Sequence, residues 1–83
     1  MDIVNDTKSN RFVTVVNSYE ADAQYEIKDN CFDVVSTVVP KEIGGRGIAS
    51  ALMKECYAYC KEQGLQPKAT CSYAAVWLER HQI

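Results

Sequence analysis

Three glycines, Gly44, Gly45 and Gly47, surround a single arginine, Arg46, and the run Pro40-Lys41-Glu42-Ile43-Gly44-Gly45-Arg46-Gly47-Ile48-Ala49-Ser50 leads directly into a helical pattern. These residue types in this order can bind an anion. Glycine turns sharply and lets a ligand approach the backbone with no β-carbon in the way. The first amides of a helix have no intrahelical acceptor and sit at the positive end of its dipole. A phosphate or pyrophosphate suits such a cradle, and Arg46 adds a mobile positive charge. A turn that merely reverses the chain is the alternative. One residue with positive φ usually suffices for a turn, fewer than this run supplies. Glu42 could deprotonate an ammonium, but a carboxylate beside Lys41 and Arg46 is more often simply solvated.

The elements that must position this loop follow from periodicity. Arg11-Phe12-Val13-Thr14-Val15-Val16 is β-branched and aromatic, and Asn17-Ser18 marks a turn. Ala21, Ala23, Tyr25 and Ile27 alternate with Asp22, Gln24, Glu26 and Lys28, the pattern of a half-buried strand. Lys28-Asp29-Asn30 reads as a hairpin loop, and Cys31 to Val39 as a further strand ended by Pro40. A short first strand around Ile3 is expected as well. From Arg46 to Gln63 the period becomes helical: Ile48, Leu52, Cys56 and Tyr59 share a face, flanked by Ala49, Met53 and Cys60. Gly64 closes that helix in a left-handed cap, with Lys61 in the last turn. Leu65 to Cys71 can form one more strand, at an edge or bulge because of Pro67. Tyr73 to His81 returns to helical spacing through Tyr73, Val76, Trp77 and Arg80. The fold class is α+β: an antiparallel strand meander, then glycine loop, helix, strand and helix.

At 83 residues the sequence reads as one domain, 1–83, and 47% hydrophobic residues are enough for a small core. A net charge of −2 offers no basic field for a nucleic-acid backbone, so no nucleic-acid partner is expected. No apolar run approaches the roughly 18 residues of a membrane span, and the first residues do not resemble a leader. A cytoplasmic protein is expected, with Cys31, Cys56, Cys60 and Cys71 reduced. Cys56 and Cys60 share a helical face, but with one histidine and no Cys-x-x-Cys no metal site is expected. They read as small core residues.

A nucleoside triphosphate loop would end in Gly-Lys-Ser/Thr, and no lysine follows Gly47. A dinucleotide fingerprint is matched only in part by Gly45-Arg46-Gly47-Ile48-Ala49-Ser50, and the strands before it are a meander rather than a βαβ unit. The run Val39-Pro40-x-x-Ile43-Gly44-Gly45-Arg46-Gly47-Ile48-Ala49, followed by a helix and then Cys71-Ser72-Tyr73, resembles the small, minimal branch of the GNAT acetyltransferase superfamily. The superfamily's acyl-CoA loop is written Q/R-x-x-G-x-G/A. Gly47 and Ala49 hold its last two fixed positions, and Gly44 stands where Arg or Gln is preferred.

The resemblance spans nearly the whole chain and implies a GNAT-like fold, acetyl-CoA as co-substrate and an amine as acceptor. It implies that Val38 and Val39 offer backbone to the pantetheine arm. Gly44, Gly45, Arg46, Gly47, Ile48, Ala49 and Ser50 would form the pyrophosphate cradle. Tyr73 is then the expected proton donor to the departing thiolate, its alternative being a core aromatic with its hydroxyl at the surface. Cys71 would line the thioester site, with a covalent nucleophilic role as the lesser alternative, since the only histidine, His81, lies a helix away. Two departures accompany the likeness. Ser36-Thr37 stands where the family often has His-Thr. The sequence also ends at Arg80-His81-Gln82-Ile83, where the family continues, so a shortened acceptor-side wall is expected. The implied reaction is N-acetylation by direct amine attack, and the alternative is a CoA-binding module without turnover.

Overall fold

The computed structural model describes residues 1–81; Gln82 and Ile83, part of the expected shortened wall, lie outside the described residues. Five strands form one sheet in the order β1-β2-β3-β4-β5: β1 Val4–Asp6, β2 Arg11–Val16, β3 Tyr19–Lys28, β4 Cys31–Val38 and β5 Gln66–Ala69. The first four are antiparallel neighbours, and β5 joins β4 in parallel. Helix α1, Ile48–Glu62, supplies the crossover between them, and α2, Ser72–His81, follows β5. The α+β layout expected from the sequence is therefore the one observed. No described helix is long and apolar enough to cross a membrane.

Local chemistry sets the turns. Asn17-Ser18 and Asp29-Asn30 both have positive φ at their two central residues, the backbone that matches the twist of two-residue hairpins and that Asn and Asp tolerate. At the end of α1, Gly64 takes φ +70, its amide reaches the Lys61 carbonyl at 3.0 Å and the Leu65 amide reaches Cys60 at 3.0 Å. Those two bonds are a Schellman cap.

The core lies between α1 and one sheet face. Phe12, Ala23, Tyr25, Phe32 and Val34 meet Ile48, Leu52, Met53, Cys56, Tyr57 and Cys60 from the helix. The apolar face of α1 thus centres one residue away from the expected one: Tyr57 is 1% exposed while Tyr59 is only partly buried. The Tyr57 hydroxyl donates to the Lys68 carbonyl at 2.7 Å, which lets a phenol enter the interior at no polar cost. In α2 the buried residues are Ala74 and Trp77, whereas Tyr73 and Val76 are exposed. The helix is rotated relative to the expected Tyr73–Val76–Trp77–Arg80 face because Trp77 stacks on Tyr57, centroids 5.8 Å apart, and donates to the Ser50 hydroxyl at 3.1 Å. Ile27 also departs from its expected half-buried role, at 46% exposed near the end of β3.

Pro67 sits in β5 opposite Phe32. The amides of Gln66 and Thr70 donate to the Asn30 and Val34 carbonyls, so the ladder uses the alternate residues and needs no N–H from Pro67.

Removing the Tyr57 hydroxyl leaves the Lys68 carbonyl without its partner, so Tyr57→Phe is expected to lower unfolding free energy by about 1 kcal/mol in urea titrations. Tyr59→Phe, whose hydroxyl has no such bond among the described residues, should change it by less than about 0.5 kcal/mol.

Candidate active site

The site begins at an irregularity in β4. Gln24 pairs with Ser36, but Tyr25 pairs with Val34, so Val35 is an extra residue bulged out of the ladder. The bulge resets which side chains face the helices. Thr37 falls opposite the core residue Ala23, while Ser36 falls opposite Gln24 on the other face.

The same place ends the pairing of β4 with β5. Their last partners are Val34 and Ala69, and the amides of Thr70 and Cys71 both donate to the Val34 carbonyl, at 3.1 and 2.9 Å. Asp33 locks the turn by accepting from the Thr70 amide and hydroxyl, each at 2.7 Å. Beyond this point β4 runs on to Val38 without β5, which leaves its edge open toward the chain entering α2. Thr37 Oγ1 and Cys71 Sγ lie 3.5 Å apart across that opening.

Strand β4 delivers the chain to the glycine loop. A single 3-10 turn, Lys41–Ile43, is closed by the Ile43 amide to Pro40 and the Gly44 amide to Lys41, both 3.1 Å. Ile43 and Ile48, 0% and 3% exposed, pin the loop to the core on either side. Gly45 and Gly47 have φ +75 and +74, conformations in which a side chain is strained. The first helical bond is Ala51 N–H to Gly47 C=O at 3.0 Å. The amides of Gly45, Arg46, Gly47, Ile48, Ala49 and Ser50 therefore precede any helical acceptor, and Gly47 as N-cap provides no side-chain substitute.

The residues expected at the site differ in what they present. Gly44 has φ −68, and its amide is spent on Lys41, so it shapes the turn and gives no free donor. Arg46 is exposed and makes no ion pair among the described residues. Ile48 contributes its amide while its side chain is core, and the Ser50 hydroxyl accepts from Trp77. Val38 is 52% exposed at the end of β4, and Val39 packs against the core. Tyr73 is 42% exposed in the first turn of α2, lining a shallow cavity with Ser50, Val76, Trp77, Arg80 and His81. His81 stacks on Trp77 with centroids 4.0 Å apart, and its Nδ1 is 2.8 Å from the Trp77 carbonyl.

A model of the family described as GCN5-related N-acetyl-transferase matches residues 11–83. The chain belongs to that family. A search of curated proteins returns no match. The match agrees with the family resemblance read from the sequence. A GCN5-related domain is an acyltransferase scaffold.

Two features of this family member were not read from the sequence. A nucleophilic Cys71 needs a base or a positive field, and the single histidine, His81, lies a helix away. Cys71 instead stands at the start of α2, where its carbonyl accepts from the Ala75 amide at 2.9 Å. Burial opposes ionisation of its thiol, but hydrogen bonds from the Thr37 hydroxyl and the Ala74 and Tyr73 amides outweigh it. The thiol is held below its ordinary value. Thr37 is the second, a partner reached across the sheet opening. A cysteine just before a helical pattern was the available clue, though cysteine is not a usual cap.

By contrast, burial pushes the Cys56 thiol up to about 12. Alkylation by iodoacetamide, mapped by peptide mass, should therefore modify Cys71 with a pH midpoint below that of free cysteine and leave Cys56 intact in the folded protein. Thr37→Val should move the Cys71 midpoint upward, because the bond favouring its thiolate is gone.

Proposed function

We propose that the chain transfers an acetyl group from acetyl-CoA to an amine by direct attack. The observation that carries this reading is the conjunction of two features in one acyltransferase domain: a row of amides without acceptors at the start of α1, and an open β4 edge leading to it. The pyrophosphate lies on the amides of Gly45 to Ser50 with Arg46 as counter-charge. The pantetheine arm runs along the backbone of Val38 and Val39, bringing the thioester toward Thr37, Cys71 and Tyr73.

In this reaction the nitrogen lone pair forms a bond to the carbonyl carbon, and the carbon–sulfur bond breaks as the tetrahedral intermediate collapses. One proton leaves the nitrogen and one reaches the sulfur, so thioester and amine become amide and thiol. Holding the donor supplies most of the orientation. The exposed Tyr73 hydroxyl is the proton donor to sulfur. Cys71 lines the thioester site. Its depressed thiol does not require an acyl-enzyme, because the attacking amine needs no relay.

Calorimetry with acetyl-CoA, followed by an assay of free thiol release over a panel of amines, tests the reading. Saturable binding and amine-dependent release are expected. Binding without release would instead favour a CoA-binding module, and absence of binding would end both. Gly47→Asp, which adds bulk and negative charge to the cradle, should abolish acetyl-CoA binding. Cys71→Ala should retain turnover, whereas an enzyme using a cysteine relay would lose it.

A further inference from the structure

Asp33 stands on the sheet face away from α1, since its neighbours Phe32 and Val34 are both 0% exposed in the core. Lys28 and Lys68 line the same cavity, yet Asp33 forms no ion pair among the described residues. Both of its carboxylate oxygens are engaged elsewhere. Oδ1 accepts from the Thr70 amide and Oδ2 from the Thr70 hydroxyl, each at 2.7 Å. Two short charge-assisted bonds to one residue fix its orientation as well as its distance.

Thr70 lies at the last rung of the parallel ladder. The Gln66 amide reaches the Asn30 carbonyl and the Thr70 amide the Val34 carbonyl, so the same spacing would next join the Ser72 amide to the Ser36 carbonyl. The structure breaks that order. The Thr70 amide is shared, 3.1 Å from the Val34 carbonyl and 2.7 Å from Asp33, and the Cys71 amide also donates to Val34, at 2.9 Å. Ser72 then begins α2 instead of extending β5. Asp33 thereby draws the amide out of the sheet where the ladder would otherwise continue, and Ser36 to Val38 keep an edge with no β5 residue beside it.

We infer that Asp33 is a positioning residue for the donor: its hold on Thr70 ends the β4–β5 ladder and keeps the β4 edge open for the pantetheine arm. The occupant of that edge rests on the acetyl-CoA reading above; the opening rests on Asp33 and Thr70 alone. Cys71 reports on the opening, because it follows Thr70 in the chain and meets Thr37 across the gap. Apart from burial, the groups that shift its thiol are the Thr37 hydroxyl and backbone amides, none of them a charged side chain. Were Asp33 acting on Cys71 through charge, removing it would favour the thiolate and lower the alkylation midpoint. Loss of the hold on Thr70 moves that midpoint the other way, upward, because Cys71 leaves hydrogen bonds that favour its thiolate.

The test uses Asp33→Ala, Thr70→Val and Thr70→Ser in the intact chain, read by calorimetry with acetyl-CoA and by the pH profile of Cys71 alkylation with iodoacetamide. Asp33→Ala should weaken acetyl-CoA binding about tenfold, the scale of one hydrogen bond to a charged group, and raise the Cys71 midpoint. Thr70→Val should shift both readings in the same direction, and Thr70→Ser, which keeps the hydroxyl, should match the unaltered protein. A role in stability alone would lower the urea midpoint and move neither reading, so an unchanged affinity or an unchanged Cys71 midpoint in folded Asp33→Ala overturns the inference. Thr70→Ser behaving as Thr70→Val would overturn it too. If Asp33→Ala does not fold, the two Thr70 variants decide by the same readings. If the unaltered protein binds no acetyl-CoA, the acetyl-transfer reading fails by itself. The Cys71 midpoint then decides: moved upward it supports the hold of Asp33 on the opening, and unmoved it overturns it.

Discussion

The Val34 carbonyl is the point on which the site depends. It accepts the amides of both Thr70 and Cys71, so β5 stops pairing where Val35 bulges from β4. A carbonyl has two lone pairs, and using both here lets the chain leave the sheet with the Thr70 and Cys71 amides both paired. Asp33 reinforces the departure by holding both polar groups of Thr70. Everything past this junction, the open edge of β4, the Thr37–Cys71 contact and the start of α2, takes its position from it.

The glycine loop shows a related division of labour. Ile43 and Ile48 are buried and fix the loop's two ends, while the segment between them is exposed and makes few internal bonds. Flexible glycines lose much entropy on ordering, so apolar anchors on both flanks are what make the cradle persist before a ligand arrives. Gly44 belongs to the anchoring turn, and Gly45 and Gly47 supply the left-handed backbone that turns the following amides outward.

The two sheet faces divide by chemistry. The helix side is apolar and stacked with aromatic rings, Tyr25 on Phe32 at 4.6 Å and Tyr57 on Trp77 at 5.8 Å. The other face carries Arg11 bridged to Glu20 and Asp22, and Arg11 holds the Glu20 carboxyl below its usual range by hydrogen bond and charge. An antiparallel sheet can leave one face to water. Here that face also keeps Asp22 Oδ1 without a partner among the described residues, on the strand that pairs with β4.

Local pattern determined much of this in advance. The β-branched run of β2, the alternation in β3 as far as Tyr25, the turns at Asn17-Ser18 and around Asp29-Asn30, the helical period between Arg46 and Gln63 and the Gly64 cap each express a preference of a few neighbouring residues, and the structure forms an element or turn at each. The loop was legible for the same reason, since positive φ at Gly45 and Gly47 is a property of glycine itself. What the tertiary structure decided involves residues far apart in the chain. Tyr57 rather than Tyr59 is buried because Lys68 offers it a carbonyl, and α2 turns Ala74 and Trp77 inward because Trp77 meets Tyr57 and Ser50. The parallel β5, the bulge at Val35, the Thr37–Cys71 contact and the shared Arg11 arise from packing and register. No periodicity within one segment encodes those, because their energies exist only once separate segments have met.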